Sequence, residues 1–150
     1  MSVADDPSLP TSITQINPPG IPVPYTIFKD FIFAAAHHIP GHPGKCAHLH
    51  GHTYKVRAYL EASELDHLGM VIDFAHLKAW LKEVAGPWDH RVINDFPPFD
   101  EALKPTAELL ASEVFNGLAE RLAKQEPDGR VQLKRVEVWE SDHSCAIYEP

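Results

Sequence analysis

Ten histidines occur among 150 residues, and six of them, His37, His38, His42, His48, His50 and His52, fall within sixteen consecutive positions. Imidazole is the side chain best suited to hold a divalent metal and to move protons near neutral pH. In His50-Gly51-His52 two imidazoles stand two residues apart, which on an extended strand turns both to one side, facing one ion, with Gly51 leaving the backbone room. A preceding strand that ends at His37 would bring a third imidazole across a hairpin. Three histidines with an open fourth position form the ligand set of catalytic rather than structural zinc. An isolated H-x-H pair also fits two exposed loop histidines; the density of histidine around this one favours the metal. His38, His42 and His48 fall in loop positions and are expected in solvent, although His48 alternates with His50 and competes for the role. His67 and His76 flank a helix and are expected at the surface.

Three further features bear on chemistry. Cys46 lies four residues before His50 and follows Lys45, whose positive charge favours a thiolate, so it is a candidate base or nucleophile as well as a small buried hydrophobe. Asp89-His90 pairs a carboxylate with an imidazole, a combination that relays protons, and such pairs also arise by chance. Glu140 keeps the phase of Val136 and Val138, so a carboxylate stands on an apolar strand face, where it must meet a ligand or a basic partner. Glu137 and Trp139 fall on the opposite face, and Cys145 reads as core in a closing strand.

The elements that must position these groups are legible in the patterning. Tyr25 to Ala36 is rich in aromatic and β-branched residues and predicts a first strand, followed by a loop punctuated by glycine and proline. From Thr53 to Ala62 residues alternate, with Tyr54, Val56, Ala58 and Leu60 on one face, as in an antiparallel strand buried on one side. Asp73 is a suitable N-cap for a helix to about Ala85, where Gly86-Pro87 stops it, and Thr106 caps a second helix to about Lys124. Two strands, Val131 to Glu140 and Ser144 to Glu149, close the chain. The order ββααββ predicts an α+β domain over residues 25–150, with an antiparallel four-stranded sheet and two helices on one face. The bare face and two free sheet edges predict association with further copies. Residues 1–24 hold six prolines and read as an extended arm.

Composition narrows the partners. A net charge of −8 disfavours nucleic acid or an anionic membrane, and no apolar run approaches the length of a membrane span. Two cysteines cannot build a disulfide framework, and the first ten residues lack a signal-peptide pattern, so a cytoplasmic location is expected.

In order along the chain, F-x-A-A-H (Phe33 to His37), C-x-x-x-H-G-H (Cys46 to His52), G-x-V-x-D-F (Gly69 to Phe74), D-H-x-x-I-N (Asp89 to Asn94), P-T-x-E (Pro105 to Glu108) and a strand ending in Glu140 resemble the 6-pyruvoyl-tetrahydropterin synthase and 6-carboxytetrahydropterin synthase family, over roughly Thr26 to Tyr148. The resemblance implies the tunnelling fold, with sheets joined into a barrel by oligomerisation, typically a homohexamer of two stacked trimers. It implies His37, His50 and His52 as Zn2+ ligands, Cys46 as catalytic base, Asp89 and His90 as its relay, and Glu140 as anchor for a pterin. The Thr106 region would complete the pterin pocket from a neighbouring subunit. The implied substrate is the small molecule 7,8-dihydroneopterin triphosphate. Three residues separate Cys46 from His50, which resembles the carboxy-forming enzymes of queuosine biosynthesis; the pyruvoyl-forming enzymes usually have five. A pyruvoyl-forming synthase and a non-catalytic zinc- or pterin-binding module are the alternatives. Trp88, where the family usually has leucine, and Ser141, where threonine often follows the glutamate, depart from the pattern. In the strand arrangement read here, Lys29, Lys45 and Lys55 are the candidates for holding the triphosphate.

Overall fold

A computed structural model describes residues 23–150; the proline-rich arm expected over residues 1–24 lies, but for Val23 and Pro24, outside them. Strands β1 (Tyr25–His37) and β2 (His50–Ala62) form a long antiparallel hairpin whose register pairs Tyr25 with Ala62 at one end and His37 with His50 at the other. Helix α1 (Phe74–Ala85) starts at Asp73, whose carboxylate accepts the Ala75 N–H at 2.8 Å. Helix α2 (Ala107–Gln125) starts at Thr106, whose hydroxyl accepts the Leu109 N–H. Strands β3 (Gln132–Ser141) and β4 (Ser144–Tyr148) complete a sheet whose spatial order is its sequence order, β1-β2-β3-β4, antiparallel throughout. This is the predicted ββααββ architecture, and both helix caps fall on the expected residues.

Two boundaries differ in an instructive way. β2 begins at His50 rather than Thr53, so the H-G-H triplet lies inside the strand ladder, where its alternation is enforced by pairing with β1. The β3–β4 turn narrows to Asp142 and His143, because a bulge between Trp139 and Ser141 shifts the register there.

The sheet face that carries Phe33, Tyr54, Val56, Ala58, Leu60, Val136 and Val138 is covered by α1, through Leu77, Trp80 and Leu81, and by α2, through Leu110, Val114 and Leu118; all are buried. Burial of these side chains, the valines, leucines and Phe33 each contributing roughly 1.5–3 kcal/mol, drives the two layers together. The other face is bare and amphipathic. The register aligns Phe28, Tyr59 and Arg135 in one cross-strand row, and Ile32, Lys55, Trp139 and Cys145 in another. Lys55 and Arg135 lie over the rings of Trp139 and Tyr59, and Glu137 is buried here by accepting hydrogen bonds from Arg135 and Trp139 Nε1. Cys145, read from its apolar neighbours as core, is exposed on this face because its strand is the sheet edge.

Candidate metal centre and active-site cleft

The metal site grows out of the core face of the hairpin. Phe33, Ala35 and His37 alternate onto that face from β1, and Tyr54, His52 and His50 from β2, so the apolar core gives way to three imidazoles at the hairpin's end. His37 and His50 are directly paired across the strands, and His52 is the diagonal neighbour, a spacing at which long side chains meet. Ring centroids lie 4.6, 5.1 and 4.9 Å apart for the three pairs, and the ligating nitrogens all fall within 4.8 Å of one another.

Hydrogen bonds orient the rings. His37 Nδ1 lies 2.7 Å from the Pro105 carbonyl and His50 Nδ1 lies 2.7 Å from the His48 carbonyl. Both Nδ1 atoms therefore donate, which leaves Nε2 of each ring as the free lone pair, the arrangement that metal-ligating histidines adopt. His37 Nε2 and His52 Nε2 face one another at 3.1 Å. Ligand nitrogens on a tetrahedral ion at about 2.0–2.1 Å stand about 3.3 Å apart, so the residues fit a divalent metal. Burial pushes His37 below the ordinary imidazole range, outweighing the Pro105 hydrogen bond and Glu140, and this favours the neutral, ligating form. His48, which competes for the role on spacing alone, is exposed and contributes its carbonyl.

Glu140 faces this centre. It keeps the core-facing phase of Val136 and Val138, and its carboxylate oxygens stand 3.8 Å from His37 Nε2 and 4.0 Å from His52 Nε2. Tyr54 closes the site from below, its buried ring edge-on to both His37 and His52 and its hydroxyl without a partner among the described residues. The triad, Glu140, Cys46 and Thr106 line one cleft of about 410 Å³. Thr106, implied by resemblance to come from a neighbouring subunit, thus borders the cleft of its own chain, because α2 begins beside His37.

Asp89 and His90 are placed differently. His90 sits at φ 59°, a left-handed conformation that non-glycine residues adopt only when held there. Its N–H donates to the Ala34 carbonyl at 2.6 Å, Asp89 accepts from the Ala34 N–H, and Ala36 donates to the Arg91 carbonyl, so the segment is laced along the outer edge of β1. Asp89 Oδ1 lies 2.9 Å from His90 Nδ1, and the imidazole is 82 % exposed. The pair does form, but His90 borders a second hollow, beside Gly51 and Thr53, and not the cleft that Cys46 lines.

The structure also reveals positioning residues that sequence reasoning did not single out. Asn94 clamps the backbone of His38 through reciprocal bonds of 3.0 and 2.9 Å, securing the chain just after His37, and the buried Pro105 supplies its carbonyl. The D-H-x-x-I-N and P-T-x-E motifs held both, but nothing local says what a carbonyl or an amide will meet. Neither Lys29 nor Lys55, two of the three triphosphate candidates, lines this cleft, and the third, Lys45, is exposed beside Cys46. Lys29 pairs with Ala58, eight residues along β1 from His37, and the Lys55 ammonium lies over Trp139.

Residues 26–150 match the family model described as 6-pyruvoyl tetrahydropterin synthase. A 6-carboxy-5,6,7,8-tetrahydropterin synthase of Synechocystis sp. is 39% identical over 129 residues, covering 83% of this chain and 92% of that protein. A protein of the same name from Bacillus subtilis is 33% identical over 143 residues, covering 92% and 94%. Among solved structures, the 6-pyruvoyl tetrahydropterin synthase of Caenorhabditis elegans superposes with a TM-score of 0.72 at 26% identity, covering 85% of this chain and 96% of that one. With its fold matched to a solved member and its sequence matched from the second residue of β1 to the last residue of the chain, this protein belongs to the 6-pyruvoyl tetrahydropterin synthase family of enzymes.

Proposed function

We propose that the protein is a zinc-dependent 6-carboxy-5,6,7,8-tetrahydropterin synthase, which converts 7,8-dihydroneopterin triphosphate and water to 6-carboxy-5,6,7,8-tetrahydropterin, acetaldehyde and triphosphate, a step toward the 7-deazaguanine of queuosine. The observation that carries this reading is the convergence of three imidazoles, Glu140 and Cys46 on one cleft, in a chain whose relatives are named for that product.

His37, His50 and His52 would hold the zinc, whose Lewis acidity toward the substrate's side-chain hydroxyls would acidify neighbouring C–H and O–H groups. Cys46, on the wall of the cleft, accepts and returns protons as the side chain is cleaved. Glu140 accepts charge-assisted hydrogen bonds from the pterin's 2-amino and N3 positions, and the Thr106 region completes that pocket. Asp89 fixes the His90 tautomer, leaving Nε2 free to exchange protons. Since that ring points to the outer side of its own hairpin, it serves the cleft of an adjoining copy, and the working unit is a homo-oligomer, a dimer of trimers in this reading. A cytoplasmic location suits an enzyme that needs Cys46 as a free thiol.

Mass spectrometry of the products after incubating zinc-loaded protein with 7,8-dihydroneopterin triphosphate, with acetaldehyde assayed in parallel, tests the proposal. The carboxy product with acetaldehyde is expected. The likeness to a pyruvoyl-forming enzyme from Caenorhabditis elegans supports a second reading, triphosphate elimination without cleavage of the side chain, and a pyruvoyl product without acetaldehyde would select it.

A further inference from the structure

We propose that Lys104 and His42 form a seat for the triphosphate tail at the mouth of the cleft; the inference rests on the reading that the substrate carries one. A tail with several negative charges approaching a chain of net charge −8 needs local cations that are not already neutralised. Four of the five arginines fail that test. Arg57 is ion-paired with Asp30, Arg135 with Glu137, Arg121 with Glu83 and Arg130 with Glu126. Lys104 is exposed and, among the described residues, has no carboxylate within ion-pair distance.

Its side chain crosses from the segment before α2 to the loop between β1 and β2. The ammonium stands 3.4 Å from where a Cβ on Gly41 would be, and Gly41, at φ +84°, is a position that suits glycine on both counts. The next residue, His42, lines the cleft together with Cys46 and the triad. His42 Nδ1 accepts the Gly44 N–H at 2.9 Å, so in the neutral ring the proton sits on Nε2, which is then a donor available to an anion. The loop is closed on itself by Ile39 N–H to Cys46 carbonyl and His42 N–H to Ile39 carbonyl bonds, at 2.8 and 3.1 Å, so these donors are held in place before a ligand arrives. Lys104 also immediately precedes Pro105, whose carbonyl orients His37. One short segment thus links an anion seat to the metal centre, and a tail held there sets where the substrate's side chain lies over the triad.

Titration calorimetry on the zinc-loaded full chain tests this with two probes, inorganic triphosphate and unphosphorylated 7,8-dihydroneopterin, alongside steady-state kinetics. The wild type is expected to bind inorganic triphosphate. Lys104→Met, which keeps the apolar stem, is expected to weaken that binding and raise KM for the triphosphate substrate by about tenfold or more, the loss of one charge-assisted contact. Its dihydroneopterin affinity and zinc content should stay near wild type, His42→Gln should weaken triphosphate in the same direction, and Lys104→Arg should restore it. Wild-type triphosphate affinity in both Lys104→Met and His42→Gln, or equal loss for both probes, overturns the seat. If the wild type makes no pterin product yet binds triphosphate in a Lys104-dependent way, the seat stands and the proposed reaction falls. Turnover to the expected product with no effect of Lys104 leaves the reaction standing and removes the seat.

Discussion

Each side chain at the cleft has a separable task, and single substitutions should separate them. Removing an imidazole leaves two ligands, too few to close a zinc site, so His50→Ala should bind less than one metal per chain by elemental analysis while the sheet and helices persist in circular dichroism. Cys46→Ala should keep the metal and lose roughly 10²–10⁴-fold in turnover, the usual worth of a positioned proton-transfer group. Retained activity in that variant would remove Cys46 from the reaction. Glu140→Gln should weaken binding of a pterin analogue by about 1.5–3 kcal/mol, the range for a hydrogen bond to a charged group, with the metal retained. The residue types and the H-G-H spacing were readable in the sequence. The orienting partners were not, since the Pro105 and His48 carbonyls are backbone atoms whose aim depends on how the chain folds around them.

Pairing within the sheet and between the helices sets stability. Asp30 and Arg57 are paired across β1 and β2 in a bidentate bridge at 2.7 and 2.9 Å, and the Arg57 guanidinium holds the Asp30 carboxyl below its usual range. A carboxylate whose folded pKa is depressed adds stability above its unfolded value of 3.8 and loses it as pH falls through the lower, folded value. Asp30→Asn should therefore cost about 1 kcal/mol at neutral pH, a difference that shrinks toward nothing in acid below that range, as chemical denaturation across pH will show. Gly117 marks where α2 meets α1. A Cβ there would stand 2.9 Å from Val84 Cγ1, so Gly117→Ala gains helix propensity but overpacks the contact, and a net loss of about 1–3 kcal/mol in thermal unfolding is expected. Helix starts at Asp73 and Thr106 were legible because capping is local chemistry. The start of β2 was not, since its first three residues are strand only by virtue of pairing with β1.

The bare sheet face governs how the whole molecule behaves. Phe28, Ile32 and Ile147 are exposed on it, between cations stacked on Tyr59 and Trp139, and the free part of β1 and the short β4 form the sheet's two edges. In the proposed ring this face is covered. Ile32→Asp should then lower the mass measured by analytical ultracentrifugation and reduce turnover with it, while the zinc content per chain stays unchanged. An unchanged assembly would show that this face is not the contact. Among the described residues no helix is long and apolar enough to cross a membrane.

The linear sequence determined the element order, both helix caps, the core face of β2 and the histidines able to meet a metal, because each follows from periodicity, capping or spacing over a few residues. Tertiary structure decided the rest. It set His37 directly opposite His50 and put Thr106 in the cleft of its own chain. It also moved His90 to the far side of the hairpin, exposed Cys145 on an edge strand, and carried Lys104 back to Gly41. These outcomes depend on register and on contacts between residues tens of positions apart, which local patterning does not encode.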